Sequence, residues 1–461
     1  MRTWRPRLTA TVLLACGVGV VVALPLAWRA ARRRSLDPFE PVVIFALAWG
    51  VMFAVRPIAI AIRDDESFYG VDVRPELDKA VFLGLLGAVA FLAGYELRLG
   101  APLARLLPAP AERGTPSGAI AGACVLGAVG IAALAIFLLS ADGWSAVETF
   151  ARGRSEALNE LLRDSPDYFW WLSVLVVPAG LLAFATAYAT RRPTAIVAAV
   201  VLNVLALLRT VPLGNRLYLL VLIGGMLVFP YLHARRRPGI VACVIGLAVA
   251  LVASFAVLQF RTPDTRPVFV SVVDGLVSRP YDVLRPLIDG PDAEMAPALA
   301  GGLTVIPSEL GYRYGAATIG DLVLRPIPRQ FWHGKPEPID VAVTERVWPV
   351  ARATGDFQPT YTPLLSFYWD LGLLGVALGM AVYGILARAA FEYLLRAQDA
   401  FVVQLLYAAW LWTFVLALRA DPTLAFSELV IVLGPLVAVA AIGARSPRAR
   451  VPNWARSTSG T

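Results

Sequence analysis

The feature that most constrains this chain is a series of about eleven apolar runs, each near the length that crosses a lipid bilayer. A helix needs about 20 mostly apolar residues to span the hydrocarbon core. Because that core holds no water for backbone N–H and C=O groups, such runs fold as helices that satisfy those groups internally. The sequence therefore predicts an all-α polytopic membrane protein of about 11 transmembrane helices. The predicted spans are Thr9–Trp28, Pro41–Ile62, Ala80–Leu97, Gly118–Ser140, Tyr168–Thr190, Thr194–Leu208, Leu217–Leu232, Gly239–Gln259, Pro363–Ala387, Phe401–Leu418 and Thr423–Ile442.

Composition supports the same class. Hydrophobic residues make up 58% of the 461 residues and charged residues 16%, whereas soluble domains are about half apolar and about a quarter charged. Cys16, Cys124 and Cys243 each lie inside an apolar run, which argues against a disulfide framework. With only two histidines in the chain, we expect neither a metal site nor a cofactor.

The basic residues explain the net charge of +8 without nucleic acid, because they collect in short loops between spans. By the positive-inside rule these loops are cytoplasmic, and the loops that alternate with them lie outside. One conflict remains, since "MRTWRPR" then falls outside despite three arginines. Either span 1 is held against its own charges or a span is miscounted. The basic loops are "RAARRRS", the segment 98–113, "RR" at 191–192, "HARRRP", the segment 388–396 and the tail "RSPRAR".

The alternation divides the chain into four parts, of which the largest loop is predicted to be extracytoplasmic. Within that loop, apolar residues recur at helical spacing, and Pro280 and Pro286 break them into short pieces. Amphipathic fragments with Trp, Tyr and Arg are typical of a cap lying on a membrane surface. The parts are 1–259 with about eight spans, the loop 260–362, 363–443 with about three spans, and the basic cytoplasmic tail 444–461.

Three charged residues lie inside predicted spans, near their outer ends. A charge at mid-membrane costs about 2.5–3.5 kcal/mol on insertion scales, so Arg56, Asp370 and Glu428 each need a partner or a role. One interpretation is an ion pair between helices. The shared depth of two acids and one base favours a common polar chamber.

Two further groups of cations lie on the predicted outer side. Arg209 and Arg216 flank a turn with Pro212 and Gly214, and a guanidinium fits phosphate oxygens as a planar fork of donors. The alternative is that both arginines extend to the lipid interface. The second group lies in "LVLRPIPRQFWHGKPEPID", which presents Arg325, Arg329, His333 and Lys335 to a docking molecule.

Four segments resemble the oligosaccharide repeat-unit polymerases of bacterial envelopes, the O-antigen polymerase (Wzy-type) family. They are "RRRSLDPFEPVVIFALAWGVMFAVRP", "PLGNRLYLLVL", "PIPRQFWHGKP" and "YTPLLSFYWDLGLLGVALGMAVYGIL". The resemblance implies a metal-independent glycosyltransferase at the outer leaflet of the bacterial cytoplasmic membrane. It would join repeat units carried on undecaprenyl pyrophosphate, and a chain-length regulator is a candidate partner. The odd span count departs from the family's usual even layout.

The resemblance also implies roles for these residues. Cations at headgroup depth would bind the substrate and stabilise the departing pyrophosphate, and a base would take the acceptor's proton. We favour His333 as the base, with Asp370 orienting the arginines; Asp370 and Glu309 are the other candidate bases. The candidate substrate-binding residues are Arg56, Arg209, Arg216, Arg329 and Lys335.

Three alternatives stay open. A ligase that moves finished glycan would share the same arginines and base. A polyprenyl-phosphate-sugar glycosyltransferase would use paired acids in an early outer loop, for which Asp64, Asp65 and Glu66 are candidates, and typically needs a divalent ion. A transporter or flippase for lipid-linked sugars would show broken helices with facing charges at mid-membrane.

Overall fold

The computed structural model describes most of the two predicted membrane regions and part of the large loop. The described residues are 6–33, 36–63, 67–108, 115, 118–140, 167–211, 216–239, 241–243, 245–246, 248–249, 278, 293–325, 327, 332, 334–350 and 361–445.

The described chain is almost entirely helical. A two-residue hairpin, β1 (Ser67–Phe68) and β2 (Val71–Asp72), pairs antiparallel in the loop before α4. The helices are α1 (Pro6–Arg33), α2 (Pro41–Gly50), a π-helical turn (Val51–Val55), α3 (Arg56–Arg63), α4 (Arg74–Glu96), α5 (Gly100–Leu106), α6 (Ala119–Ser140), α7 (Asp167–Leu172), a 3₁₀ turn (Ser173–Leu175), α8 (Val176–Thr190), α9 (Pro193–Thr210), α10 (Arg216–His233), α11 (Met295–Val305), a second π-helical turn (Ala316–Gly320), α12 (Asp321–Leu324), α13 (Ile339–Val347), α14 (Pro363–Arg396), α15 (Phe401–Arg419) and α16 (Pro422–Arg445).

Within the described ranges, nine helical stretches are long and apolar enough to cross a membrane, and each matches a predicted span. The polytopic all-α class is thereby confirmed. The predicted span Leu217–Leu232 corresponds to a shorter apolar helix, Leu217–His233. Most of the predicted span Gly239–Gln259 lies outside the described residues.

Proline sets the start of several spans. It stands within the first two positions of α2, α4, α9 and α14, where its missing N–H would have no intrahelical acceptor and its φ suits a helix. Where these polar loops lead into membrane helices, proline therefore leaves no backbone N–H group unpaired at its position.

Glycines bring α4 and α14 into close contact. A Cβ added at Gly94 would overlap the carbonyl oxygen of Ala381, and one added at Gly384 would overlap that of Phe91. Small residues that let two backbones approach are a common basis of helix association in membranes. The pair α4–α14 forms the centre of one core cluster, which also includes α1, α2 and α11, while α6, α8 to α10, α15 and α16 supply most of a second.

Polar contacts sort the helix ends into two sides. On the first side, Arg29 pairs with both Glu40 and Glu96, and the Tyr95 hydroxyl donates to Glu40 at 3.1 Å. The helix ends that these contacts join are all ends that the arginine pattern assigns to the basic side. Further contacts on this basic side are Arg237 with Asp37, Arg235 with Asp399, His233 with Gln404 and Arg388 with Glu392.

The opposite helix ends meet on a second side, which carries the described part of the loop and is called the cap side here. Thr11 donates to Asp78, and the Trp348 indole donates to the Phe68 carbonyl at 3.0 Å. The first span therefore begins on the cap side, the direction that the arginine pattern predicts against the span's own charges. Its N-terminal end and the C-terminal end of α16 thus lie on opposite sides.

The loop differs from its predicted character in one place. The sequence predicts amphipathic pieces on a surface, but α11 is apolar and buried around its circumference, against α4, α13 and α14. A helix that is apolar on all faces is buried rather than laid on an interface. Further along, Tyr314, Ile319 and Val323 are exposed, as the prediction of a surface-lying fragment requires.

Candidate functional site

Arg209 is the most unusual charged residue on the cap side. It lies one residue before the end of α9 and has no exposed surface. Its Nε donates to the Ser173 hydroxyl at 3.1 Å, whereas Nη1 and Nη2 are buried and have no hydrogen-bond partner among the described residues. A buried charged donor left unpaired is costly, so the site has spare capacity for an anion.

Two aromatic rings and one carboxylate surround this guanidinium. Its Cζ lies 4.5 Å from the ring centre of Trp170 and 5.3 Å from that of Tyr218. The Tyr218 hydroxyl donates to Oε2 of Glu428 at 2.7 Å, and Glu428 is only 5% exposed. Cation–π attraction therefore compensates part of the burial of Arg209, and Glu428 balances its charge from beyond the tyrosine.

A local break in the fifth span places Ser173 against Arg209. The helix narrows to a 3₁₀ turn at Ser173–Leu175, and the Ser173 hydroxyl donates to the Trp170 carbonyl at 2.6 Å. Short 3₁₀ pieces inside helices often mark functional positions. The break allows one turn of chain to supply both an oxygen and an indole to the arginine.

Asp370 lies at a second break, in α14. Leu371 and Gly372 leave the helical conformation, and Gly372 has φ +60°. Oδ1 of Asp370 accepts backbone N–H groups from Gly315 at 3.0 Å and Ala317 at 2.8 Å. The carboxylate therefore fastens the loop segment 313–317 to the broken helix.

The backbone of the break reinforces this attachment. The Arg313 N–H donates to the Trp369 carbonyl at 2.9 Å, and the Tyr314 N–H donates to the Asp370 carbonyl at 3.0 Å. Because the break leaves these carbonyls without their usual helical donors, the loop supplies the missing hydrogen bonds. The loop and α14 are thus one polar unit.

A partly enclosed pocket of about 70 Å³ lies beside this junction. The guanidinium of Arg313 covers the Trp369 ring at 4.1 Å. Burial lowers the pKa of Arg313, and the nearby carboxylates of Asp321 and Asp370 act in the opposite direction. The other lining residues are Ala316, Ala317, Gly320, Leu324, Lys335, Pro336, Glu337, Pro338 and Ile339.

Arg325 connects the pocket with the Arg209 site. Its Nη1 donates to the Thr423 hydroxyl at 2.5 Å, and it lies 3.9 Å from Asp321, a pocket residue. Thr423 precedes Glu428 on α16 by five residues, or about 7.5 Å along a helix. Pocket and buried arginine therefore belong to one polar region of the cap side.

Of the other predicted substrate-binding residues, the structure describes the side chains of Lys335 and Arg56. Lys335 lines the pocket, and its Nζ donates to the carbonyls of Arg325 at 3.2 Å and Ile327 at 3.0 Å. Arg56 is buried in α3, within electrostatic reach of Tyr69. The Arg216 side chain, all of Arg329 and His333, and the loop acids Asp64, Asp65 and Glu66 lie outside the described residues.

The two embedded carboxylates have different partners. Asp370 is engaged with the loop, and Glu428 with Tyr218. Glu309, the remaining candidate base, is exposed just after α11.

Several residues of the site were not predicted. Ser173, Trp170, Tyr218 and Trp369 lie in apolar runs, where hydropathy gives hydroxyl and indole groups no distinct signal. The available signal was the crowding of aromatic residues in "DYFWWLS" and "SFYWD" at the predicted outer ends of two spans.

The described residues hold no group of three or more His, Cys, Asp or Glu side chains that could bind a metal ion. Comparison of the chain with protein-family models, with curated proteins and with solved structures found no match.

Proposed function

We propose that this protein is a membrane glycosyltransferase that joins undecaprenyl-pyrophosphate-linked oligosaccharide repeat units at the outer leaflet of the bacterial cytoplasmic membrane. The observation that supports this best is Arg209, a buried guanidinium whose two terminal nitrogens have no hydrogen-bond partner in the described part of the protein. A pyrophosphate at headgroup depth offers the oxygens that these nitrogens lack.

The reaction follows from the chemistry of such a donor. A hydroxyl of the acceptor glycan attacks the anomeric carbon of the donor, whose bond to the pyrophosphate oxygen breaks. Each new linkage releases one undecaprenyl pyrophosphate. Arg209, with Arg216 and Arg329 as further candidates, stabilises the charge that develops on this leaving group.

The acceptor's proton goes to His333 in this proposal. A histidine has an ordinary pKa near 6.5, so its neutral form is available at pH 7. Asp370 is the weaker candidate because its Oδ1 already accepts two backbone N–H groups. Its proposed role is to position the loop that carries Arg313 and the segment leading to His333.

The decisive variant keeps the positive charge at position 209 but removes the planar set of guanidinium donors. Arg209→Lys should lower polymer formation about a hundredfold, as loss of one preorganised donor to a developing charge does. The matched control is Arg192→Lys, which is exposed just before the first residue of the same helix. Purified protein in proteoliposomes is given lipid-linked repeat units, and polymer length is read by gel.

Wild-type polymer from Arg209→Lys would remove Arg209 from the site. If the wild-type protein forms no polymer but attaches preformed glycan to a second lipid acceptor, the ligase alternative replaces the polymerase. Loss of activity on chelation of divalent ions would favour the polyprenyl-phosphate-sugar transferase.

A transporter is the second candidate, because α14 is broken at Leu371 and Gly372 and α11 is a short buried helix. Discontinuous helices often form the binding sites of transporters. The same proteoliposomes distinguish the two functions, since a transporter moves the lipid-linked sugar across the bilayer without lengthening it.

A further inference from the structure

We infer that the pocket between Arg313 and Lys335 binds a neutral saccharide unit of the glycan, separately from the pyrophosphate site at Arg209. The inference rests on the proposed function for its biological role, but saccharide binding can be measured without polymerisation. The inference therefore specifies that the ligand of this pocket carries no net charge.

The charges that line the pocket cancel. Arg313 and Lys335 contribute two positive charges, and Asp321 and Glu337 two negative charges. A uronic acid, a phosphate or an amine would meet an equal number of like and opposite charges. A neutral polyol meets no like charge, and its hydroxyls both donate to carboxylates and accept from the guanidinium.

The remaining walls are apolar and rigid. They include the Trp369 ring, Ile339 and the prolines at 336 and 338. The Trp369 indole nitrogen donates to the Gly311 carbonyl at 2.8 Å, which fixes the ring. A sugar ring has an apolar C–H face and a polar rim, so both kinds of surface in this pocket find a counterpart.

The position of the pocket agrees with such a unit. The Asp370 attachment of the segment 313–317 holds its Arg313 wall in place. Through Arg325 and Thr423 it adjoins the helix that carries Glu428, so a glycan could reach from one site to the other.

The test uses saturation-transfer NMR on the full-length protein in nanodiscs. The probes are glucose, galactose and mannose, each paired with its uronate. We expect saturation transfer to at least one neutral sugar and a weaker signal from its uronate. Absence of transfer to all three neutral sugars, or equal transfer to a matched uronate, would overturn the inference.

Two phenylalanine variants locate the binding, and a third variant tests its charge preference. Ala316→Phe places a ring in the pocket and should abolish the signal, whereas Ile319→Phe, exposed three residues later and outside the lining, should retain it. Glu337→Gln leaves the pocket with net positive charge and should shift preference toward the uronate. Equal effects of both phenylalanine variants, or unchanged preference in Glu337→Gln, would contradict the assignment.

These outcomes are distinct from those for the proposed function. If the wild-type protein binds saccharide but forms no polymer, the pocket assignment stands and the proposed polymerase function is wrong. If Ala316→Phe leaves polymer formation unchanged, the polymerase function stands and the pocket assignment is wrong.

Discussion

At the scale of single residues, Arg209 combines costs that a purely structural arginine avoids. A buried donor left unpaired costs about 1–3 kcal/mol, and more when it is charged. Cation–π contacts return about 0.5–2 kcal/mol. The structural arginine Arg29, by contrast, pairs with two carboxylates. A bound anion would supply at Arg209 what Glu40 and Glu96 supply at Arg29.

Asp370 gives the residue-scale prediction. Asp370→Asn replaces an ionised acceptor of two N–H groups by a neutral one, and hydrogen bonds to charged groups contribute about 1.5–3 kcal/mol. We expect a loss of stability of that order, measured as an earlier unfolding midpoint in SDS, together with weaker saccharide binding. Asp72→Asn, at an exposed acid paired with Arg74, is the control and should change stability by less than about 0.5 kcal/mol. Unchanged stability and binding in Asp370→Asn would show that the carboxylate does not hold the loop.

The sequence indicates which charges need an explanation but not how each is satisfied. Asp370 was predicted because a charge in an apolar run is costly, and Arg209 because a guanidinium at an outer turn fits phosphate oxygens. Their partners are a serine hydroxyl and backbone N–H groups more than 30 residues away along the chain. No local pattern encodes such contacts, since they arise only where two separate helices break at the same side.

At the scale of elements, the contact between α4 and α14 depends on the absence of side chains. Gly94→Leu should destabilise the protein by about 1–3 kcal/mol or more, because the added side chain would overlap the α14 backbone. Ala93→Leu, one residue earlier and exposed, is the matched control. Thermal unfolding in nanodiscs compares them, and equal midpoints would show that the two helices do not meet through Gly94.

Helices were predicted correctly where hydropathy alone identifies them, as in the membrane spans, and were missed where it does not. Nine predicted spans have matching helices because about 20 apolar residues have one stable arrangement in a bilayer. The 11-residue helix α11 was missed because it is too short to span and is apolar on every face. The predicted span core Pro363–Ala387 lies within α14, and the helix continues to Arg396 because its polar last turns extend beyond the apolar stretch.

At the scale of the whole molecule, the two sides have different chemistry. The basic side has ion pairs between helix ends, such as those of Arg29 and the pair of Arg235 with Asp399. The cap side carries the broken helices, the pocket and the unpaired nitrogens of Arg209. This division follows the arginine pattern of the sequence, which predicts that the basic side is cytoplasmic.

The proposed reaction requires the cap side to face out, where exported lipid-linked repeat units would be available. The most direct measurement is labelling of intact cells with a membrane-impermeant maleimide, in a background with Cys16, Cys124 and Cys243 replaced by alanine. Gly334→Cys tests the cap side and Arg192→Cys the basic side, and both positions are exposed. We predict labelling of Gly334→Cys in intact cells, and of Arg192→Cys only after the membrane is disrupted. Labelling of Arg192→Cys alone in intact cells would reverse the orientation and contradict the proposed reaction with it.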